Sequence, residues 1–261
     1  MDRTELINTI YGKYNEDARL TKSRQGQLEY ITTMDFIHRF LKPGAAVLEV
    51  GAGTGRYSVA LAREGYDVKA VELVPSNIEV MKKNIGYLKN IEPIQGDALD
   101  LSRFQDNTFD VTLVLGPMYH LYEKADWDRC INEALRVTKK DGVLFFAFLS
   151  VHSVLYCNYL QGNFDPGLTE NFDADMKTRH FTEQAFTGFD ITEFEALFAD
   201  KAVSHITTAA ADSIMELAQE RSDFKMGDHD FKLFVKYHLA TCEKRELLGS
   251  SSHLLYVCRK N

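Results

Sequence analysis

From residue 46 to residue 150 the chain alternates short, almost wholly apolar runs with stretches of helical periodicity, and no other feature narrows the possible folds so far. Residues 46–50, 67–72, 91–95, 109–115 and 142–150 read as strands, with helices at 54–64, 75–88 and 124–139 between them. A strand that is apolar on both faces must be covered on both, which strand-helix-strand order achieves in a mostly parallel sheet. The fold class is α/β.

The flanks obey a different pattern. Leu28, Ile31, Met34, Ile37 and Leu41 recur at helical spacing, so the first forty residues read as a long amphipathic helix stopped by Lys42-Pro43-Gly44. After Ser150 the turn signals Gln161-Gly162-Asn163, Asp165-Pro166-Gly167 and Asn171-Phe172-Asp173 fit no regular strand-helix unit. Helices are expected again at 191–198, 212–220 and 230–246, and strands at 202–209 and 253–259. The organisation expected is an N-terminal helical cap over 1–42 and a single domain over 43–261, with lid-like insertions at about 158–187 and 210–250.

Composition removes several functions. A net charge of −8 and a pI near 5.5 argue against a protein that holds long nucleic acid by neutralising phosphates, so small molecules are the expected partners. The longest apolar run, 143–149, is far short of the roughly 18 residues of a membrane span, and the N-terminus is charged at once. Neither a membrane protein nor a secreted precursor is expected. Cys130, Cys157, Cys242 and Cys258 show no pairing rhythm and read as free thiols of a reducing cytoplasm. Asp228-His229-Asp230 is the one cluster with a ligand-like look; it reads as a solvated turn, and no metal is expected.

The most informative segment is Val47-Leu48-Glu49-Val50-Gly51-Ala52-Gly53-Thr54-Gly55-Arg56, a buried strand entering three alternate glycines and a helix. Glycines let a ligand touch backbone, and the helix start offers free N–H groups. A dinucleotide fingerprint needs a glycine where Arg56 stands. Instead an acid, Glu49, precedes the loop, which suits an ammonium group better than a phosphate. Glu72 closes the second strand, where a carboxylate can accept both hydroxyls of a ribose, and Asp97 follows the third. Three acids at successive strand ends beside a glycine loop suit a cationic nucleoside without phosphates.

These residues resemble the class I S-adenosylmethionine-dependent methyltransferases over roughly residues 43–150. VLEVGAGTGRY resembles the first motif of that family, and the resemblance places Glu49 near the methionine ammonium and Gly51, Ala52, Gly53 and Gly55 along the cofactor. AVEL, with Glu72 and Leu73, resembles the second, with Glu72 on the ribose hydroxyls. GDAL resembles the third, with Asp97 on the adenine amino group and Ala98 at its ring edge. FDVTLVLGPMYHL resembles the fourth, with Leu115 and Gly116 beside the methionyl part. The family fold implied is a Rossmann-like, doubly wound, seven-stranded sheet whose last strand, here 253–259, runs antiparallel. The cofactor implied is S-adenosyl-L-methionine, and the reaction a methyl transfer.

Such a transfer demands alignment more than proton chemistry, since the cofactor already activates the methyl group. Tyr119 and His120 follow the fourth strand and His152 the fifth. His120 is the candidate base and Tyr119 the candidate packing group for cofactor or substrate. Gly116-Pro117-Met118-Tyr119 lacks the amide of the Asn-Pro-Pro-Tyr signature, which disfavours methylation of nucleic-acid bases. Tyr11, Tyr14 and Arg24 are candidates for a cap over the cofactor. A nicotinamide-dependent oxidoreductase and a non-catalytic S-adenosylmethionine-binding module are the competing readings. Arg56 speaks against the first of these; the glycine loop does not separate the second.

Charge is unevenly distributed. Residues 158–195 hold eight acids against Lys177 and Arg179, which is −6 of the total. This segment reads either as a solvated face or as an acidic lid bearing Phe164, Phe172 and Phe181 that draws in a cationic cofactor or an amine acceptor.

Overall fold

A computed structural model describes residues 3–12, 16–181 and 185–261. The strands are β1 (Ala46–Val50), β2 (Asp67–Glu72), β3 (Ile91–Gln95), β4 (Phe109–Val114), β5 (Thr138–Ser150), β6 (Gly188–Phe189), β7 (Val203–Ala210) and β8 (His253–Lys260). They make one sheet in the order β3-β2-β1-β4-β5-β8-β7, with β6 beside the end of β5. Strands β1 to β5 are parallel, and β8 is antiparallel to both its neighbours. This is the doubly wound sheet expected, with one addition. The two-residue β6 lies in the first insertion and pairs Leu149 with Gly188 and Ser150 with Phe189. A Cβ on Gly188 would meet Val151 Cα at 2.6 Å. Two residues at such close approach carry no periodicity, which is why the sequence does not announce them.

Residues 1–40 do not form one helix. They form α1 (Arg3–Tyr11), α2 (Glu16–Lys22) and α3 (Arg24–Phe40). The break before α3 has a cause in Ser23, whose hydroxyl accepts the Gly26 amide at 3.0 Å as an N-cap. In α3, Gln25, Leu28, Glu29, Thr32, Thr33 and Phe36 are buried at helical spacing.

The crossover helices are α4 (Arg56–Arg63), α5 (Pro75–Ile85) and α6 (Lys124–Val137). Helix α5 starts on a proline, whose missing N–H costs nothing there; α6 buries Trp127, Cys130, Ile131, Ala134 and Val137 on one face. Strand β5 buries Phe145, Phe146 and Phe148 completely, each contributing about 1.5–3 kcal/mol. The same continuous core takes in Leu20 of α2 and Phe36 of α3.

After β5 come α7 (Val151–Leu160), α8 (Phe164–Asn171) and α9 (Ile191–Ala196), then α10 (Met215–Gln219), α11 (Asp228–Thr241) and α12 (Arg245–Leu248). The turn signals at 161–163 and 171–173 follow α7 and close α8, but Asp165-Pro166-Gly167, expected as a turn, lies in the first turn of α8, where a proline is tolerated. Helix α7 has apolar residues all round it, with Val151 and Leu155 buried and Tyr156, Tyr159 and Leu160 exposed, so it shows no helical stripe. Among the described residues no helix is long and apolar enough to cross a membrane.

Candidate active site

The chain leaves β1 for β2 and β3, then returns to β4 on the other side of β1. The loops after β1 and β4 therefore part at the carboxyl edge of the sheet, where doubly wound folds bind ligands. The cleft there has about 850 Å³ of empty space, open solvent included. Its walls are the loops after β1, β2, β3 and β4, and residues of α1 and α2 cover it.

Gly51, Gly53 and Gly55 all adopt positive φ, 75°, 54° and 85°. A Cβ on Gly55 would meet Met81 Cγ at 2.6 Å, and one on Gly51 would meet Pro117 Cδ at 2.6 Å. Those two glycines are required by the turn and by the protein's own packing, quite apart from any ligand. The amides of Gly51 and Ala52 both donate to the Val71 carbonyl, at 2.9 and 3.0 Å, tying the loop to β2.

The three acids line this cleft in different states. Glu49 is buried, and its Oε2 accepts the amide and hydroxyl of Ser58 in α4. Burial nevertheless pushes its carboxyl up to about 8. Glu72 Oε2 accepts the Gly53 amide at 2.8 Å, and Oε1 accepts the Val74 amide at 2.9 Å and Asn77 Nδ2 at 3.3 Å. Burial raises this carboxyl too, against those three donors. Asp97 accepts the Leu99 amide at 3.0 Å and forms an ion pair with Arg3 of α1. The acid expected on adenine is thus held by the cap helix. Leu73, Ala98, Leu115 and Gly116 line the same cleft.

Tyr119 and His120 stand on the 3₁₀ turn after β4, both buried. Tyr119 Oη donates to the Leu115 carbonyl at 3.1 Å. His120 Nδ1 donates to the Ala185 carbonyl at 2.9 Å, so its Nε2 offers a lone pair, which the Tyr11 hydroxyl meets at 2.9 Å. Burial depresses the imidazole to about 4, so His120 is neutral near pH 7. It links the cap, the β4 loop and the first insertion, whose Thr187 amide also donates to the Tyr119 carbonyl at 2.9 Å.

A second, larger cavity of about 1670 Å³ of open volume adjoins the first and shares Tyr11, Glu16, Arg19 and Tyr119 with it. Leu149, Val154, Phe181 and Phe186 supply apolar wall, and Glu216, Ser252 and His253 close the far side. Behind them Asp212 Oδ1 accepts the Ser251 hydroxyl at 2.6 Å and the amides of Ser252 and His253 at 3.1 Å. Its Oδ2 accepts Gln25 Nε2 and His253 Nδ1, each at 2.7 Å. Burial opposes charge on His253, but Glu29 and Asp212 outweigh it and raise the imidazole to about 9.

Several expectations change here. His152 faces Asp190 at 3.4 Å and lines neither cavity, because it sits on the outward side of α7. Arg24 pairs with Asp228 and lies 4.6 Å over Phe231, so it joins α3 to α11 and does not cap the cleft. That pairing also puts Asp228 on an exposed first turn of α11, as the solvated reading of 228–230 requires. Among the described residues the group with metal-like spacing is instead Glu29, Asp212 and His253, with ligand atoms within 4.8 Å of one another. The contact of His253 with Asp212 accounts for it as an ion-pair network. Tyr14 lies outside the described residues. Asp173 turns its Oδ1 onto the amides of Asp175 and Lys177, both at 2.9 Å, in an exposed turn; neither Asp173 nor Asp175 lines a cavity.

Sequence reasoning missed Arg3, Glu16, Arg19 and Asn77. Asn77 was findable, since it follows the proline start of α5, five residues after Glu72. The other three come from α1 and α2, whose docking no local pattern announces. The donor set fits S-adenosylmethionine: a buried carboxylate suited to an ammonium, a strand-end carboxylate suited to a ribose, and a glycine loop between them.

Residues 48–146 match a family model described as a methyltransferase domain. The chain is 31% identical over 156 residues to a demethylmenaquinone methyltransferase of Paenarthrobacter aurescens, covering 58% of this chain and 56% of that one. It is 32% identical over 99 residues to a probable ribosomal RNA small subunit methyltransferase A of Methanosarcina acetivorans, covering 36% and 35%. The chain therefore spans about half the length, or less, of these curated relatives. A Thermotoga maritima structure described as an S-adenosylmethionine-dependent methyltransferase, possible histamine N-methyltransferase, shares the fold across 100% of both chains with TM-score 0.62 at 16% identity. Residues 48–146 are thus matched as a methyltransferase domain, and the sheet, the cleft and the order of the motifs are similar to those of the class I S-adenosylmethionine-dependent methyltransferases.

Proposed function

We propose that this protein transfers the methyl group of S-adenosylmethionine to a small-molecule acceptor by in-line displacement. One observation carries the reading: the cofactor-type cleft and a second cavity meet at Tyr11, Glu16, Arg19 and Tyr119, so donor and acceptor have adjoining chambers. The cofactor supplies an activated methyl group on a sulfonium. The chain's part is to bind and align. Glu49 meets the ammonium, Glu72 the ribose hydroxyls, and Asp97 and Ala98 the adenine. Leu115 and Gly116 pack on the methionyl part. Orientation of this kind can lower a barrier by about 7–11 kcal/mol in favourable models.

Tyr119 and His120 have distinct roles in this reading. Tyr119 forms the wall between the chambers. A proton leaving the acceptor has a route to Tyr11 Oη, as the Tyr11 proton passes to His120 Nε2 at 2.9 Å. A small acceptor is favoured over nucleic acid because the acceptor chamber carries carboxylates, which repel phosphates. The free state of Cys130, Cys157, Cys242 and Cys258 supports a reducing, cytoplasmic setting.

Calorimetry with S-adenosylhomocysteine tests the reading. Micromolar binding is expected, and it should be lost in Glu72→Ala and in Gly53→Val. Absence of binding to the wild-type chain, or preference for NAD in the same titration, refutes it. Tight binding without turnover across a broad acceptor panel favours a binding module instead.

A further inference from the structure

We infer that the acceptor carries a cationic amine, and that Glu216 on α10 is the residue that holds its ammonium group. The inference rests on the reading of the second cavity as the acceptor chamber.

Charge around that chamber does not balance among the described residues. Five carboxylates, Glu16, Glu29, Glu170, Asp212 and Glu216, stand around two cations, Arg19 and His253. Arg19 is committed to Glu16 at 3.1 Å and to Glu29 at 2.7 Å. His253 is committed to Asp212 at 2.7 Å and stands 3.9 Å from Glu216. Of the four carboxylates in contact with Arg19 or His253, Glu216 is held at the longest distance from its nearest cation, and it faces the cavity. Burial disfavours its charged form, as expected of a carboxylate short of a counterion. Glu216 is partly buried, its side chain 34% exposed, and an ammonium entering the cavity would give it a close counterion.

Two further features agree. Tyr119 and Phe186, with ring centroids 6.0 Å apart, both line the chamber, and aromatic rings attract cations and not anions. Glu216 and His253 do not line the cofactor cleft. The anchor is therefore set back from the transferring methyl, leaving the opposite end of the acceptor beside Tyr11 and Tyr119. The acidic segment 158–195 brings Glu170 and Phe181 to the same chamber, and the second insertion adds Glu216.

The test uses the full chain, free and saturated with S-adenosylhomocysteine, titrated calorimetrically with 2-phenylethylamine, 2-phenylethanol and 3-phenylpropionate. The amine should bind about tenfold or more tightly than the alcohol, and the acid should bind more weakly than either. Glu216→Gln should reduce the amine to the alcohol's affinity while leaving S-adenosylhomocysteine binding within about threefold. Glu216→Asp, which keeps the charge, should retain part of the preference and guards against a folding defect in the first variant. Equal binding of amine and alcohol, no amine binding at millimolar concentration, or an unchanged amine affinity in a folded Glu216→Gln overturns the inference. Failure of S-adenosylhomocysteine to bind refutes the methyltransferase reading alone, because the amine titration of the free chain still decides this one.

Discussion

Glu49 is the place where function and stability pull in opposite directions, and Glu49→Gln separates them. The carboxyl is fully buried against α4 and is pushed up to about 8 from an ordinary 4.5. Between those two values the folded chain holds a proton that the unfolded chain has released. Folding stability must then fall as pH rises, by about 1.4 kcal/mol per pH unit, and level off above 8. From pH 5.5 to 7.5 this is roughly 3 kcal/mol; across the whole window the upper bound is about 5 kcal/mol. Glutamine keeps an oxygen for the Ser58 donors and cannot ionise. Urea unfolding of both proteins at several pH values should show the stability difference swinging in favour of Glu49→Gln by about 3 kcal/mol over that interval. Taking the difference removes the other groups that titrate in common. A cationic cofactor reverses the preference: its ammonium stabilises ionised Glu49, so binding near pH 7 should release a proton, seen as a binding heat that depends on the buffer. Glu49→Gln should abolish that release and weaken binding. A stability difference independent of pH from 5.5 to 7.5 refutes the account.

Three other outcomes follow from the geometry. Tyr11→Phe removes the hydroxyl that donates to His120 Nε2; turnover should fall about 10- to 100-fold with S-adenosylhomocysteine affinity nearly unchanged, whereas a matching loss of that affinity would mean that the Tyr11 hydroxyl acts by holding the cofactor and not by moving a proton. Gly55→Ala forces a left-handed φ of 85° and a 2.6 Å contact with Met81. It should cost about 2–4 kcal/mol in urea unfolding, against about 1 kcal/mol for Gly65→Ala, where φ is 97° and nothing lies within 4 Å. Equal costs would show that packing plays no part. His253, raised to about 9, contributes stability that is complete below its unfolded value near 6.5 and is lost as pH rises through 9. His253→Gln should remove that loss and, by leaving Asp212 buried without a cation, destabilise the chain at pH 7 by about 3–5 kcal/mol in thermal or urea unfolding.

The strands, the glycine loop and the acids Glu49, Glu72 and Asp97 were legible in the sequence because each depends on neighbours close along the chain. A two-sided apolar strand reports its own burial, and a strand-glycine-helix junction reports its own turn. Gly51 and Gly55 show the limit of that logic: the ligand seemed to explain them, yet Pro117 and Met81 already do. Helix α7 was invisible for the opposite reason, since a segment apolar on all sides gives periodicity nothing to register.

The floor of the cleft at the sheet edge was therefore set by local sequence, since one strand-loop-helix unit after another delivers its residues there, while its cover from α1 and α2 was not. The adjoining cavity was decided only in three dimensions. Glu16, Arg19 and Glu29 come from the N-terminal helices, Asp212 and Glu216 from the second insertion, and His253 from the last strand. Their contacts span up to 187 to 228 positions, as between Gln25 and Asp212 or His253. Each is an unremarkable polar residue in its own segment. Only when packing removes water and brings them within 4 Å do they act as one charged network.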